Sequence, residues 1–258
     1  MSVNASDDNK RITRETLNQL LSELAKEYKK LAGKKTPAEI VMVGGAVIVS
    51  EYGFRGMTED IDAVIQAASA MKEAIARVEE RYDLPHGWIN TDFMKTSSYS
   101  RNLVVCSSYY RTINQTFNVR VVKGEYLIAM KLRSYHDYKN DISDIVGILA
   151  AHKEKGEPIT MERIEKAVVD LYGSWEGFYP KAVQFIKDAV QCTDYDALYS
   201  ITREGEKEAK EILLEYENRY PGFISNNNVK SVVERIREKK KSAEKNNTKD
   251  IPDRRDDE

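Results

Sequence analysis

The four consecutive residues Ile40-Val41-Met42-Val43 carry no polar side chain, and Gly44-Gly45 ends the run at once. A stretch so short and so apolar suits a buried strand, whereas an amphipathic helix would space its apolar residues three and four apart. The next residues, Ala46-Val47-Ile48-Val49 closing on Tyr52-Gly53, read as a short helix set on a tight turn. Residues 60–65, Asp-Ile-Asp-Ala-Val-Ile, start by alternating polar and apolar and read as a second strand.

Helices are expected around this frame. From Ile12 onward Leu17, Leu20, Leu21, Leu24, Ala25, Tyr28 and Leu31 form one apolar stripe, with capping chemistry at Thr13, Glu15 and Thr16 and a stop at Gly33. Residues 69–82 place Met71, Ile75 and Val78 on one side, and Leu84-Pro85 closes that helix because proline disfavours helix in the residue before it. Residues 86–102 read as irregular or short-helical. Leu103-Val104-Val105-Cys106 and residues 117–122, rich in β-branched side chains, read as two further strands. From Glu125 the pattern is helical, in segments near 125–135, 140–152, 160–171, 176–190, 197–219 and 229–245 separated by Gly, Pro and Asn signals. The fold class is therefore α+β: a small mixed β-sheet core with flanking helices, followed by an all-helical C-terminal part. The expected division is a flexible N-terminus at 1–10, a core at 11–152, a helical domain at 153–225 and a charged helical or disordered tail at 226–258.

Charge narrows the function. Forty basic residues against 42 acidic ones give a net charge of -2, which excludes a globally basic nucleic-acid binder but not a local basic face. Two segments qualify. Residues 229–249 hold eight basic side chains against three acidic, and a solvated helix fraying into a tail is the preferred reading over a nucleic-acid contact. Residues 95–139 hold Lys95, Arg101, Arg111, Arg120, Lys123, Lys131, Arg133 and Lys139 against Glu125 and Asp137, with six tyrosines among them, and point to a basic cleft. Cys106 and Cys192 lie far apart, and His86, His136 and His152 lack metal spacing and read as surface or structural residues. No apolar run suits a membrane span and MSVNASDDNKR lacks a secretory core, so a cytoplasmic protein with no membrane partner is expected.

The chemistry concentrates at residues 41–62. Asp60 and Asp62, two apart on a strand, leave the same face, where two bare carboxylates repel. A divalent cation removes that repulsion; magnesium, with manganese as a substitute, suits such hard oxygen ligands and takes one or two carboxylates plus substrate phosphates. Gly44-Gly45 at a strand-to-helix turn offers the positive φ and the close backbone approach that a phosphate needs.

The order Val43-Gly44-Gly45, Arg55-x-x-Thr58, Asp60-Ile61-Asp62 resembles the signature of the nucleotidyltransferase (DNA polymerase β-like) superfamily. The Arg55-x-x-Thr58-x-Asp60 spacing is similar to a minimal bacterial branch that includes the abortive-infection (AbiEii-like) toxins of toxin–antitoxin systems. Glu125-Tyr126-Leu127, Lys131-Leu132 and Asp141-x-x-Asp144 resemble a second block of that branch, and Trp88-Ile89-Asn90 a shorter one. The resemblance implies magnesium on Asp60 and Asp62, an NTP substrate bound at Gly44, Gly45, Arg55 and Thr58, and Lys131 at the triphosphate. Equally open are an ordinary helical lysine at 131 and a loop-bracing role for Arg55 and Thr58. Asp141 and Asp144 either position Lys131 or a substrate hydroxyl, or only begin a helix. Many members carry a third acid on a later strand; residues 118–122 have none, and Asp92 and Glu125 are the stand-ins.

Two functions from different classes follow. One is a magnesium-dependent nucleotidyltransferase moving NMP to an RNA or tRNA end or a protein hydroxyl, with a toxin role and a cognate antitoxin implied by the resemblance. The other is a catalytically degenerate protein of that fold acting as a protein- or RNA-binding module.

Overall fold

The computed structural model describes residues 11–224, 228–229, 231–235 and 238. The expected flexible stretch 1–10 and most of the tail 226–258 lie outside them. Five strands build one mixed sheet: β1 (Ala38–Met42), β2 (Ile61–Ala67), β3 (Ile89–Asn90), β4 (Ser107–Ile113) and β5 (Phe117–Val122), in the order β3-β2-β1-β5-β4. β1 runs antiparallel to β2 and parallel to β5; β2–β3 is parallel and β4–β5 antiparallel. The helices are α1 (Arg14–Ala32), α2 (Gly44–Val47, continued as a π-turn over Ile48–Tyr52), α3 (Ala70–Tyr82), α4 (Gly124–Ser134), α5 (Asp141–Glu154), α6 (Met161–Tyr172), α7 (Pro180–Ala189) and α8 (Tyr195–Arg219). The architecture is α+β, with helices throughout the C-terminal half.

Register assigns the two sheet faces. Ile40 pairs with Ile65 and Val119, and Met42 with Ala63 and Val121, so these apolar residues share one face. α1 lies on it: the Tyr28 ring meets Phe117 edge-on at 6.2 Å, and its hydroxyl donates to the Pro37 carbonyl and accepts from the Ala68 N–H. α3 packs beside α1 through an ion pair of Arg81 with the buried Glu27, at 2.7 Å. The other face carries Val41, Val43, Asp62 and Val64, and it opens toward α4. The same apolar core continues from the sheet through α4 and α5 to Ile164 and Ala167 of α6 and Ala182 and Ile186 of α7.

Two strand expectations change. Leu103-Val104-Val105-Cys106 is not a strand: it follows a 3-10 turn at Arg101–Leu103 as a further turn, with Leu103 buried and Val105 turned 85% to solvent. The edge strand is instead Ser107–Ile113, whose sequence SSYYRTI is polar because only one of its edges is paired. A helix expected from 176 begins at Pro180, where the fixed proline φ suits the first helical turn.

Candidate active site

The peptide leaves β1 through Val43, whose N–H bonds to the Asp62 carbonyl at 2.9 Å, and turns on Gly44 with φ of 60°. That conformation favours glycine, and a Cβ there would also stand 3.4 Å from Asp62 Oδ2. Gly45 is needed for space: a Cβ would collide with the Thr58 hydroxyl and come within 3.3 Å of the Arg55 guanidinium. Val43 makes no side-chain cap, and Val43, Gly44 and Gly45 line the cleft, so the first turn of α2 borders it. Thr58 is buried, and its backbone is clamped by two hydrogen bonds to Ile12 of 2.8 and 2.9 Å, which fix the loop that delivers Asp60.

Asp60 and Asp62 reach the same cleft, of about 1240 Å³. Asn90, on β3 opposite Asp62, donates to Asp60 Oδ2 at 3.0 Å. Burial raises the Asp60 carboxyl above its ordinary pKa, with Asn90 pulling the other way. Burial and then the Asp60 charge raise Asp62 to about 6, with Lys139 and Lys131 opposing. Among the described residues neither carboxylate stands in an ion pair. Nor do three His, Cys, Asp or Glu side chains among them gather into a closed metal cage. Two half-buried carboxylates that repel each other in front of open space fit one pattern of metal binding: a hard dication that shares its remaining positions with substrate phosphate and water.

A second carboxylate pair lines the same cleft. Lys131, buried on α4, sets its Nζ 3.1 Å from Asp141 Oδ1 and 2.8 Å from Asp144 Oδ2. Arg55 adds a contact of 3.3 Å to the same Asp144 oxygen while its Nε donates to the Met57 carbonyl at 2.9 Å. Arg55 thus braces its own loop and ties it to α5. Asp141 Oδ2 accepts from the Ser134 hydroxyl and the His136 N–H, and His136 Nδ1 stands 2.9 Å away. Burial alone would raise the Asp141 carboxyl, but the Lys131 charge and the His136 contacts hold it well below the usual carboxylate range. For Lys131, burial works against the charge, and Asp144 and Asp141 overcome it.

The stand-in acids do not line the cleft. Asp92 is exposed and points its carboxylate at Lys95 at 2.7 Å, but its N–H bonds to Asn90 Oδ1 and its charge helps to raise Asp62. Glu125 pairs with Arg163 of α6 at 3.1 Å, outside the cleft. β5, Phe117–Val122, reads FNVRVV, so the strand beside β1 carries no acid. The basic cluster is dispersed. Lys95, Lys131, Arg133 and Lys139 line the cleft, while Arg111 donates to Asn18 and Ser22 on α1, and Arg120 to Ser107. His136, expected as a surface or structural residue, lines the cleft, as do Glu59 and Lys210, which the sequence does not single out. No spacing rule marks any of the three.

Two aspartates at the head of β2 beside a diglycine turn, in a mixed sheet backed by helices, are the arrangement that the sequence resemblance to nucleotidyltransferases implies. Residues 19–154, more than half of the chain, match the family described as "Nucleotidyltransferase of unknown function (DUF6036)", and the chain belongs to that family. No curated protein and no solved structure matches it. Among the described residues no helix is long and apolar enough to cross a membrane.

Proposed function

We propose that this transferase moves a nucleoside monophosphate from an NTP to an acceptor hydroxyl, with magnesium or manganese held by Asp60 and Asp62. The observation that carries the reading is this carboxylate pair: half-buried, mutually repelling, without a cation partner among the described residues, and open to a large cleft. When bound, the ion polarises the α-phosphate and offsets charge on the leaving pyrophosphate. The N–H groups after Val43 cradle phosphate oxygens at Gly44 and Gly45. Lys131 and Arg55, their charges balanced by Asp141 and Asp144, hold fixed N–H donors on the cleft wall for the triphosphate. The acceptor oxygen bonds to the α-phosphorus, the bond to the β-phosphate oxygen breaks, pyrophosphate leaves, and the hydroxyl proton passes to water. Positioning and charge stabilisation carry such a displacement without a dedicated base.

The acceptor is an RNA or tRNA end or a protein hydroxyl; Lys95, Lys139 and Lys210 on the cleft lining suit a polyanionic strand best. A toxin of the abortive-infection type with a cognate antitoxin rests on the sequence resemblance and is tested by growth arrest on expression. One observation favours the degenerate alternative, a binding module: β5 carries no acid to serve as the third. The deciding experiment incubates the protein with magnesium, cellular RNA and each α-labelled NTP. Label transferred to RNA or protein, and lost with Asp60→Asn or Asp62→Asn, supports transfer. Absence of incorporation with every NTP, on RNA and protein alike, supports the binding module.

A further inference from the structure

Helix α5 starts with a vulnerable end. Its N-cap, Asn140, makes no side-chain cap of its own, yet its first turn carries both Asp141 and Asp144. The missing cap comes from another part of the chain. Glu206 of α8 is buried, and its Oε1 accepts the Ile142 N–H at 2.8 Å and the Ser143 N–H at 3.0 Å. Its Oε2 accepts the Ser143 hydroxyl at 2.6 Å. Arg203, one turn earlier on α8, donates to the Asn140 side-chain oxygen, the very atom that would otherwise cap the helix. Asn140, Ile142 and Ser143 at the head of α5 are therefore held by two residues of α8. Glu206 sits on the stripe of α8 that also buries Ala209 and Ile212, a place where a charged residue is costly unless it is paired or hydrogen-bonded. Burial first, and then the Asp144 charge, raise its carboxyl to about 7 despite the hydrogen bonds from Ser143 and Ile142 that favour the ionised form.

We infer that Glu206 is a positioning residue of the active site: by capping α5 from α8 it fixes Asp141 and Asp144, and through them Lys131. The inference rests on the transfer reading for its kinetic consequence, but its structural half stands on the hydrogen bonds alone. Every carboxylate oxygen that holds Lys131 belongs to the first turn of α5, so a loosened first turn moves the lysine. The C-terminal helices are then part of the machinery rather than an appendage to it.

The test compares Glu206→Ala, Glu206→Gln and, as a control, Glu208→Ala at an exposed neighbouring position. It reads kcat and KM for the NTP together with amide hydrogen exchange at Ile142 and Ser143. Glu206→Ala is expected to lower kcat by roughly tenfold to a hundredfold, the scale of sub-ångström misplacement, with KM within about twofold of wild type. Exchange at Ile142 and Ser143 rises. Glu206→Gln keeps an oxygen for the two N–H groups and restores most of the kcat and the protection. Should Glu206→Ala not fold, Ser143→Ala removes one of the three bonds and is expected to lower kcat by about threefold. Wild-type kcat in a folded Glu206→Ala protein, or equal losses in the alanine and glutamine variants, overturns the inference. An inactive wild type counts against the transfer reading alone, because exchange at Ile142 and Ser143 still decides whether Glu206 holds α5.

Discussion

Two aspartate pairs line one cleft and live under opposite electrostatics. Asp141 and Asp144 surround Lys131 and touch Arg55 and His136, and Asp141 is held strongly ionised. Asp60 and Asp62 have Asn90 and each other, and both carboxyls are raised. The first pair is complete within the chain, and its cations are covalently part of it. The second has no cation partner among the described residues, which is why a metal is proposed there. That difference separates a pair that clasps a lysine from the pair proposed to take up a metal, although both motifs are spaced aspartates in the sequence.

The largest break in the comparison comes from removing the outside pair. Asp60→Asn or Asp62→Asn is expected to cut NMP transfer by about a thousandfold or more, the several kcal/mol of charge stabilisation a bound ion provides, read by labelled-NTP incorporation. Next comes Lys131→Met. It removes the cation shared by two buried carboxylates, leaving Arg55 on Asp144 and His136 on Asp141, and is expected to cost about 3 kcal/mol of folding stability together with most of the activity, read by denaturant unfolding and turnover. The two pairs thus separate cleanly: the inside pair fails in stability and activity, the outside pair in activity.

Asp62→Asn is expected to go further and stabilise the metal-free protein. With Asp62 raised to about 6 from 3.8, its contribution to stability is full below about pH 4 and is lost as pH rises through 6. At pH 7.5 the asparagine variant should therefore gain about 1 kcal/mol over wild type, discounted for partial exposure, and lose the advantage at pH 4. Magnesium added at pH 7.5 raises the melting temperature of wild type alone. A smaller effect is expected of Asn90→Ala, which removes the Asn90 hydrogen bond to Asp60: about a tenfold rise in the magnesium needed for half-maximal transfer. Asp92→Asn, at an exposed pair with Lys95, is expected to change turnover by less than about threefold.

The comparison also explains what the sequence made legible. Gly44-Gly45 and Asp60-Ile61-Asp62 are local patterns joined by one short helix, so their meeting at one turn follows from strand pairing between near neighbours. α1 and α3 were readable for the same reason, each from its own apolar stripe. The inside pair was half legible: Asp141 and Asp144 lie close to Lys131 in sequence, but nothing local distinguishes a clasped lysine from a surface one. Contacts made across long stretches of chain were illegible. Arg55 meets Asp144, and Glu206 meets Ser143, only because α5 packs against the turn after α2 and against α8. Glu206 left one trace, a glutamate on an apolar stripe. The polar edge strand β4 carried no apolar run, while Leu103-Val104-Val105-Cys106, with two β-branched valines, imitated a strand. The basic cluster failed as a unit because Arg111 and Arg120 are spent on packing around β4.

The most direct measurement titrates manganese into the wild-type protein and the Asp60→Asn, Asp62→Asn double variant by electron paramagnetic resonance, with an NTP present. Protein-bound manganese in wild type, abolished in the double variant and retained in Lys131→Met, is the predicted result. Equal binding in wild type and the double variant would contradict the assignment of these carboxylates.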